Sequence, residues 1–290
     1  MELFLSTVIN GLSLGGIYAM IALGYTMVYG IAKMLNFAHG DVIMVGGYVI
    51  FVFMATNNPI LAIVMAVLSC VLLGITIEKI AYKPLRGASP LAVPITAIGV
   101  SYLLQSLSQM IFGSAPKMVV VYEFGSISLL GVNIQVSSLV TLAVTLVVMT
   151  TLTLFVKYTR LGRAMVAVSE DKGAAQLMGI NVNGIITITF AIGSALAALA
   201  GLFYLLKAPT VSNTMGAMPG IKAFTAAVIG GIGSIPGAML GGILLGMVEA
   251  ISYKITAIAP YTDAIEFSIL ILILLVRPTG FLGKKRREKV

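Results

Sequence analysis

The chain is poor in charge and nearly devoid of cysteine and histidine. Only 10% of its 290 residues are Asp, Glu, Lys or Arg, against about 25% in soluble domains. With 59% hydrophobic residues and a mean hydropathy of +1.07, that scarcity excludes a soluble domain. The lone cysteine, Cys70, stands in an apolar run and excludes a disulfide framework or a Cys/His metal set. The lone histidine, His39, has no second ligand cluster with which to complete a metal site. No GxxxxGK[ST] stretch occurs, so the chain does not bind ATP through a Walker A loop, and neither a nucleophile elbow nor an HExxH is present. No basic stretch precedes the first apolar segment, where Glu2 is acidic, so the N-terminus reads as a retained helix rather than a cleaved signal. The net charge of +8 does not mark a partner for nucleic acid, because the Lys and Arg residues sit in loops and at the C-terminus. That is the pattern of the positive-inside rule.

What is present is a series of apolar segments near the roughly 20 residues that a spanning helix needs. They cover about 3–31, 42–56, 60–80, 91–112, 136–156, 184–206 and 264–276. The first carries Gly11, Gly15, Gly16 and Gly24, which read either as close-packing positions or as a break lining a path. Asn36-Phe-Ala-His-Gly-Asp41 opens the second segment, with Asn36 and Asp41 as candidate N-caps. His39 reads as a structural histidine bonded to backbone or to Asp41, or as a lining of the pathway, since ionisable groups at membrane depth are costly. Gln105, Ser106, Ser108 and Gln109 on the fourth segment can hydrogen-bond across helices. From 113 to 135 the pattern alternates around Gly131, which predicts a small hairpin.

The stretch 224–246 is interrupted by Gly230, Gly231, Gly233, Pro236 and Gly237. A helix broken at membrane depth is tolerated only inside protein or beside a water-filled cavity, and it points to a transport site. Parity sharpens this. With the basic loops at 78–86 and 157–172 and the tail Lys284–Arg287 all inside, the chain is outside after the sixth segment and must return by an odd number of crossings. The expectation is therefore a re-entrant pair of half-helices, or two short spans, over 223–250, with the N-terminus outside.

The longest polar interval runs from Lys157 to Asn183. It reads as a short amphipathic helix at the membrane surface, able to receive another protein. Few charges lie within the apolar segments, which argues against an ion relay that drives transport by itself. That leaves a transport subunit powered elsewhere, or a passive channel.

Three stretches carry a resemblance: NGLSLGGIYAMIALGYTMVYGIAKMLNFAHGDVIMVGGY, RAMVAVSEDKGAAQLMGINV and TFAIGSALAALAGL. With them the whole chain resembles the LivH-type permease of bacterial branched-chain amino acid ABC importers. The resemblance implies a multi-pass permease of the bacterial inner membrane. It also implies a second homologous permease subunit, two cytoplasmic ATPase subunits that bind the ATP, and a periplasmic amino-acid-binding protein. Leu, Ile and Val are the implied substrates. Urea and short-chain amide permeases of the same family are the alternative, and a stand-alone channel or secondary carrier is a more distant one.

Importer permeases carry an EAA-x3-G coupling motif, and Gly173-Ala174-Ala175 with Gly179 match it in register. Gly173 stands in the place of the glutamate, and Glu170 and Asp171 lie a turn or less upstream. These six residues are the expected ATPase contacts. The candidates for the substrate path are Asn36, His39 and Asp41 with Gly230, Gly231, Gly233 and Pro236. The reading as a whole is an all-α polytopic membrane protein, one permease domain over 1–290. It has about eight membrane segments including a broken or re-entrant Gly-rich pair, a coupling loop at 157–183, and a small periplasmic β-hairpin within 113–135. No metal and no cofactor of its own are expected.

Overall fold

Long apolar runs fold as helices here because, in lipid, each backbone N–H must find a carbonyl within its own segment. The computed structural model describes residues 2–89, 91–119, 125–129 and 132–283. In chain order its elements are α1 (Glu2–Ala32), α2 (His39–Met54), α3 (Pro59–Ile77) and α4 (Ala92–Phe112). Next come β1 (Lys117–Met118), β2 (Ser126–Leu129), β3 (Val132–Gln135), α5 (Val136–Tyr158), α6 (Arg160–Glu170) and α7 (Lys172–Leu177). The chain ends with α8 (Val182–Lys207), β4 (Thr210–Val211), α9 (Ala217–Gly230), α10 (Ile235–Lys254) and α11 (Thr262–Val276). Among the described residues, seven helical stretches are long and apolar enough to cross a membrane; α2 and α9 are shorter apolar helices. The protein is an all-α polytopic membrane protein with almost no sheet.

The chain divides into two compact units, 1–26 with 124–149 and 222–290, and 27–123 with 150–221. In the second unit, α2, α3 and α8 form the core, and their small residues let the helices close on one another. Gly46 faces the Cys70 sulfur and the Ala198 backbone, Gly74 faces Ser194, and Gly201 meets the Ile43 carbonyl. Hydrophobic burial gives no drive between helices in lipid, so this close backbone approach supplies the attraction. Asn58 caps α3, accepting from the Leu61 N–H at 3.1 Å. The same helix ends in a widened π turn over Glu78–Tyr82 and a tight 3-10 turn over Lys83–Gly87. β1 pairs with β4, Lys117 opposite Val211.

In the first unit, α1 lies against α10 through interlocking glycines. A Cβ on Gly15 would lie 2.7 Å from Ile243 Cα, and one on Gly11 would lie 2.7 Å from the Met247 sulfur. Gly242 and Gly246 face back onto Ala19 and Gly15. The α1 glycines therefore serve packing; α1 is unbroken from Glu2 to Ala32. β2 and β3 pair antiparallel, from Ser126 opposite Gln135 to Leu129 opposite Val132. The stretch expected to hold the hairpin runs over 113–135 and turns at Gly131; residues 120–124, 130 and 131 lie outside the described residues.

The Gly-rich stretch divides into α9 and α10. Gly231 and Gly233 take φ of +106° and +95°, the left-handed region that glycine enters without a Cβ penalty. Ser234 then caps α10, accepting from the Gly237 N–H at 3.2 Å, with Pro236 in the first turn, where its missing N–H costs nothing. The turn sits against the chain that follows α11. The Phe281 and Leu282 N–H groups donate to the Ile229 and Gly230 carbonyls, each at 2.9 Å.

Candidate functional site

Polarity in the loop 157–183 follows a helical period, and two consecutive helices result. On α6, Gly162, Met165 and Val168 are buried while Arg160, Arg163 and Glu170 are exposed. Thr159 caps α6, accepting from the Gly162 N–H at 2.9 Å. Asp171 is extended, ends α6 and caps α7, accepting from the Ala174 N–H at 3.0 Å. α7 stops where Gly179 turns to φ +81°.

The expected contact residues do not all face outward. Glu170, Asp171, Gly173, Ala174 and Gly179 are exposed, whereas Ala175 is buried within the chain's own fold. Sequence reasoning missed two residues that the structure places at the tip of α7: Leu177 and Met178 are 90% and 82% exposed. The signal was available as the apolar pair just before Gly179.

Lys172 points the other way. Its ammonium donates to the Ala32 carbonyl at 2.7 Å and so caps the last turn of α1, where four carbonyls lack intrahelical partners. Burial, and after it the nearby Arg86 charge, pulls this ammonium below the ordinary lysine range. Arg86 pairs with the fully buried Glu78 and donates to Asn183, while the Thr187 hydroxyl donates to Glu78 at 2.8 Å. α7 is thus tied to the end of α1, and the end of α3 to the start of α8, by charged and hydrogen-bonded groups.

Asn36, His39 and Asp41 are all buried. Neither Asn36 nor Asp41 caps α2, whose N-cap is Ala38 with no side-chain bond. The Asn36 amide oxygen instead accepts from the Tyr82 hydroxyl at 2.9 Å, and the Tyr82 ring lies against Phe190. The Asp41 carboxylate accepts from the Gln105 amide at 2.9 Å. At Gly40 and Gly216 the two backbones touch directly, so neither position has room for a Cβ. Gly230, Gly231, Gly233 and Pro236 belong to the other compact unit.

The first unit holds a charged cluster that sequence reasoning missed. The buried Lys222 ammonium lies 3.1 Å from Glu249, 2.9 Å from Asp263 and 3.3 Å from Glu266. The Tyr18 hydroxyl donates to Glu249 at 2.7 Å. Asp263 is half exposed, and Glu266 is fully buried. The only hint in the sequence is single charges at the ends of apolar segments; the partners are too far apart in the chain for any periodicity to pair them.

A multi-pass helical bundle whose polar features are an amphipathic helix pair in a basic loop and buried polar side chains within the apolar helices defines a membrane transport subunit. A family model described as the permease component of branched-chain amino acid transport systems matches residues 7–274, and the chain belongs to that family. The permease protein BraD of the high-affinity branched-chain amino acid transport system of Pseudomonas aeruginosa is 44% identical, covering 99% of this chain and 98% of the relative. LivH of the corresponding system of Escherichia coli K12 is 42% identical over the same shares.

Proposed function

We propose that the chain is the permease subunit of an ATP-driven importer of leucine, isoleucine and valine. The observation that carries this is the near end-to-end match to permeases named for high-affinity branched-chain amino acid transport. In this reading the protein sits in the bacterial inner membrane beside a second, homologous permease subunit. Two cytoplasmic ATPase subunits bind and hydrolyse ATP, and a periplasmic binding protein delivers the amino acid.

The helix pair α6–α7 is the ATPase contact. Glu170, Asp171, Gly173, Ala174 and Gly179 meet the ATPase directly, Leu177 and Met178 fill a groove on it, and Ala175 seats α7 on its own chain. Lys172 passes the displacement to the end of α1. The segment Asn36–Asp41, with His39, lines the substrate path at the start of α2. The turn Gly230–Pro236 lies beside the chain leading to the basic tail.

The test is uptake into proteoliposomes containing the co-purified complex, with binding protein outside and ATP within. ATP-dependent leucine uptake is expected. ATP-dependent urea uptake in its place would keep the mechanism and overturn the substrate. Leucine uptake by the chain alone, without ATP, would overturn the importer reading.

A further inference from the structure

Counted as ordinary ions, the Lys222 cluster carries more negative charge than positive, and its members differ in burial. The Lys222 ammonium and the Glu249 and Glu266 carboxyls lie almost wholly out of solvent, while Asp263 is half exposed. Water and salt can screen Asp263 but not the other three. Those three, two carboxylates against one ammonium, leave one excess negative charge. Such a charge is costly in an apolar interior and is avoided at membrane depth. Glu266 locates the excess. It is fully buried, and among the described residues neither of its oxygens meets an N–H or O–H in hydrogen-bond geometry. Its ion-pair partner, Lys222, is 3.3 Å away and is shared with Glu249 and Asp263. The Tyr18 hydroxyl already donates to Glu249. The Glu249 and Glu266 carboxyls nevertheless come within hydrogen-bond reach of each other. As carboxylates they would offer only acceptors there and repel.

We infer that Glu249 and Glu266 hold one proton between them, which makes this contact of α10 with α11 a proton-binding site. The proton forms an O–H on one carboxyl, and the other carboxyl accepts it. That bond gives Glu266 the partner it lacks. The buried charges then sum to zero, one ammonium against one negative charge spread over the pair. Two close carboxyls that cannot both ionise act as a unit, so the proton belongs to the pair and not to either residue. A proton is also the ligand that needs no cavity, and Glu266 has no exposed surface on which a larger one could sit. A metal ion needs several oxygens arranged around it. Among the described residues, no three acidic, His or Cys side chains are grouped to hold one. The groups that face the pair are Lys222 on α9, Asp263 on α11 and Tyr18 on α1, together with Tyr253 on α10, which interacts with all four charged groups. The proton thus ties the last turns of α10 to the start of α11.

The test is infrared difference spectroscopy of the full chain in lipid nanodiscs at neutral pH. The wild type is compared with Glu266→Gln, Glu249→Gln and Asp263→Asn. A C=O band of a protonated carboxyl is expected in the wild type, shifted in heavy water. Glu266→Gln and Glu249→Gln should each abolish it, because either change removes the shared proton, and Asp263→Asn should keep it. Variants that lose only ionised-carboxylate intensity overturn the site. A band that disappears when sodium is added at fixed pH also overturns it, and would make the ligand a metal cation. Carbon-13 labelling of the glutamates of the wild type needs no variant to fold. It should move the band, which separates this pair from the buried Asp41. A wild type with no such band, or with one that glutamate labelling leaves in place, overturns the site. The measurement needs no partner subunit and no transport, so its outcome is independent of the importer reading.

Discussion

At the scale of single residues, Lys222 is the place where the fold depends most on one side chain. Its ammonium is buried and faces three carboxylates. Removing one partner of a buried ion pair leaves an uncompensated charge, at a cost of about 3–5 kcal/mol. Lys222→Met is therefore expected to lower the melting temperature of the detergent-solubilised chain markedly. Glu266→Gln, which leaves Lys222 two carboxylates, should cost much less. Equal melting of Lys222→Met and the wild type would show that the cluster holds nothing together. None of this was legible in the sequence. Burial of a charge is settled by partners distant in the chain, and Tyr18 and Glu249 are 231 positions apart.

At the scale of elements, the helix pair α6–α7 separates coupling from stability. Ala174 is exposed and Ala175 is buried, although they are neighbours in the same motif. Ala174→Arg should leave folding and melting unchanged and abolish ATP-dependent uptake while ATP hydrolysis by the complex continues. Ala175→Arg should instead destabilise the chain, because a charged side chain replaces a packed methyl. Wild-type uptake by the Ala174→Arg complex would remove α7 from the coupling role.

The α9–α10 turn makes a second element-level case. Gly231→Ala forces a Cβ into the left-handed region, about 1–2 kcal/mol, and presses it toward Gly283, whose Cα would lie 2.7 Å away. Thermal melting of Gly231→Ala should fall below that of the wild type, and an unchanged melting temperature would mean that the packing of 279–283 against the turn contributes little. The turn itself was legible, since clustered glycines and a proline within an apolar run cannot continue a helix. Its neighbours at 279–283 were not, because nothing local in the sequence joins them.

For the molecule as a whole, the basic loops set the orientation through the positive-inside rule. An impermeant thiol reagent added outside right-side-out vesicles should label Lys117→Cys and Asn213→Cys but not Gly173→Cys. The native Cys70 is buried and should give little background. Labelling of Gly173→Cys from outside would invert the topology and with it the place of the ATPase contact.

The sequence by itself determined the class of the protein. Scarce charge, long apolar runs and the basic stretches between them are local quantities, and so are the caps at Asn58, Thr159 and Ser234. The amphipathic period of 160–170, the stop at Gly179 and the break at Gly231–Gly233 all follow from the nearest few residues. Only the tertiary structure decided which side of each helix is used. It turned Ala175 inward and Leu177 outward, gave Asn36 to Tyr82 and Asp41 to Gln105 in place of capping α2, and gathered Lys222 with its carboxylates. The physical reason is the same throughout: period and polarity are properties of a segment, whereas hydrogen-bond and ion-pair partners in a membrane bundle come from other helices, whose approach is set by packing.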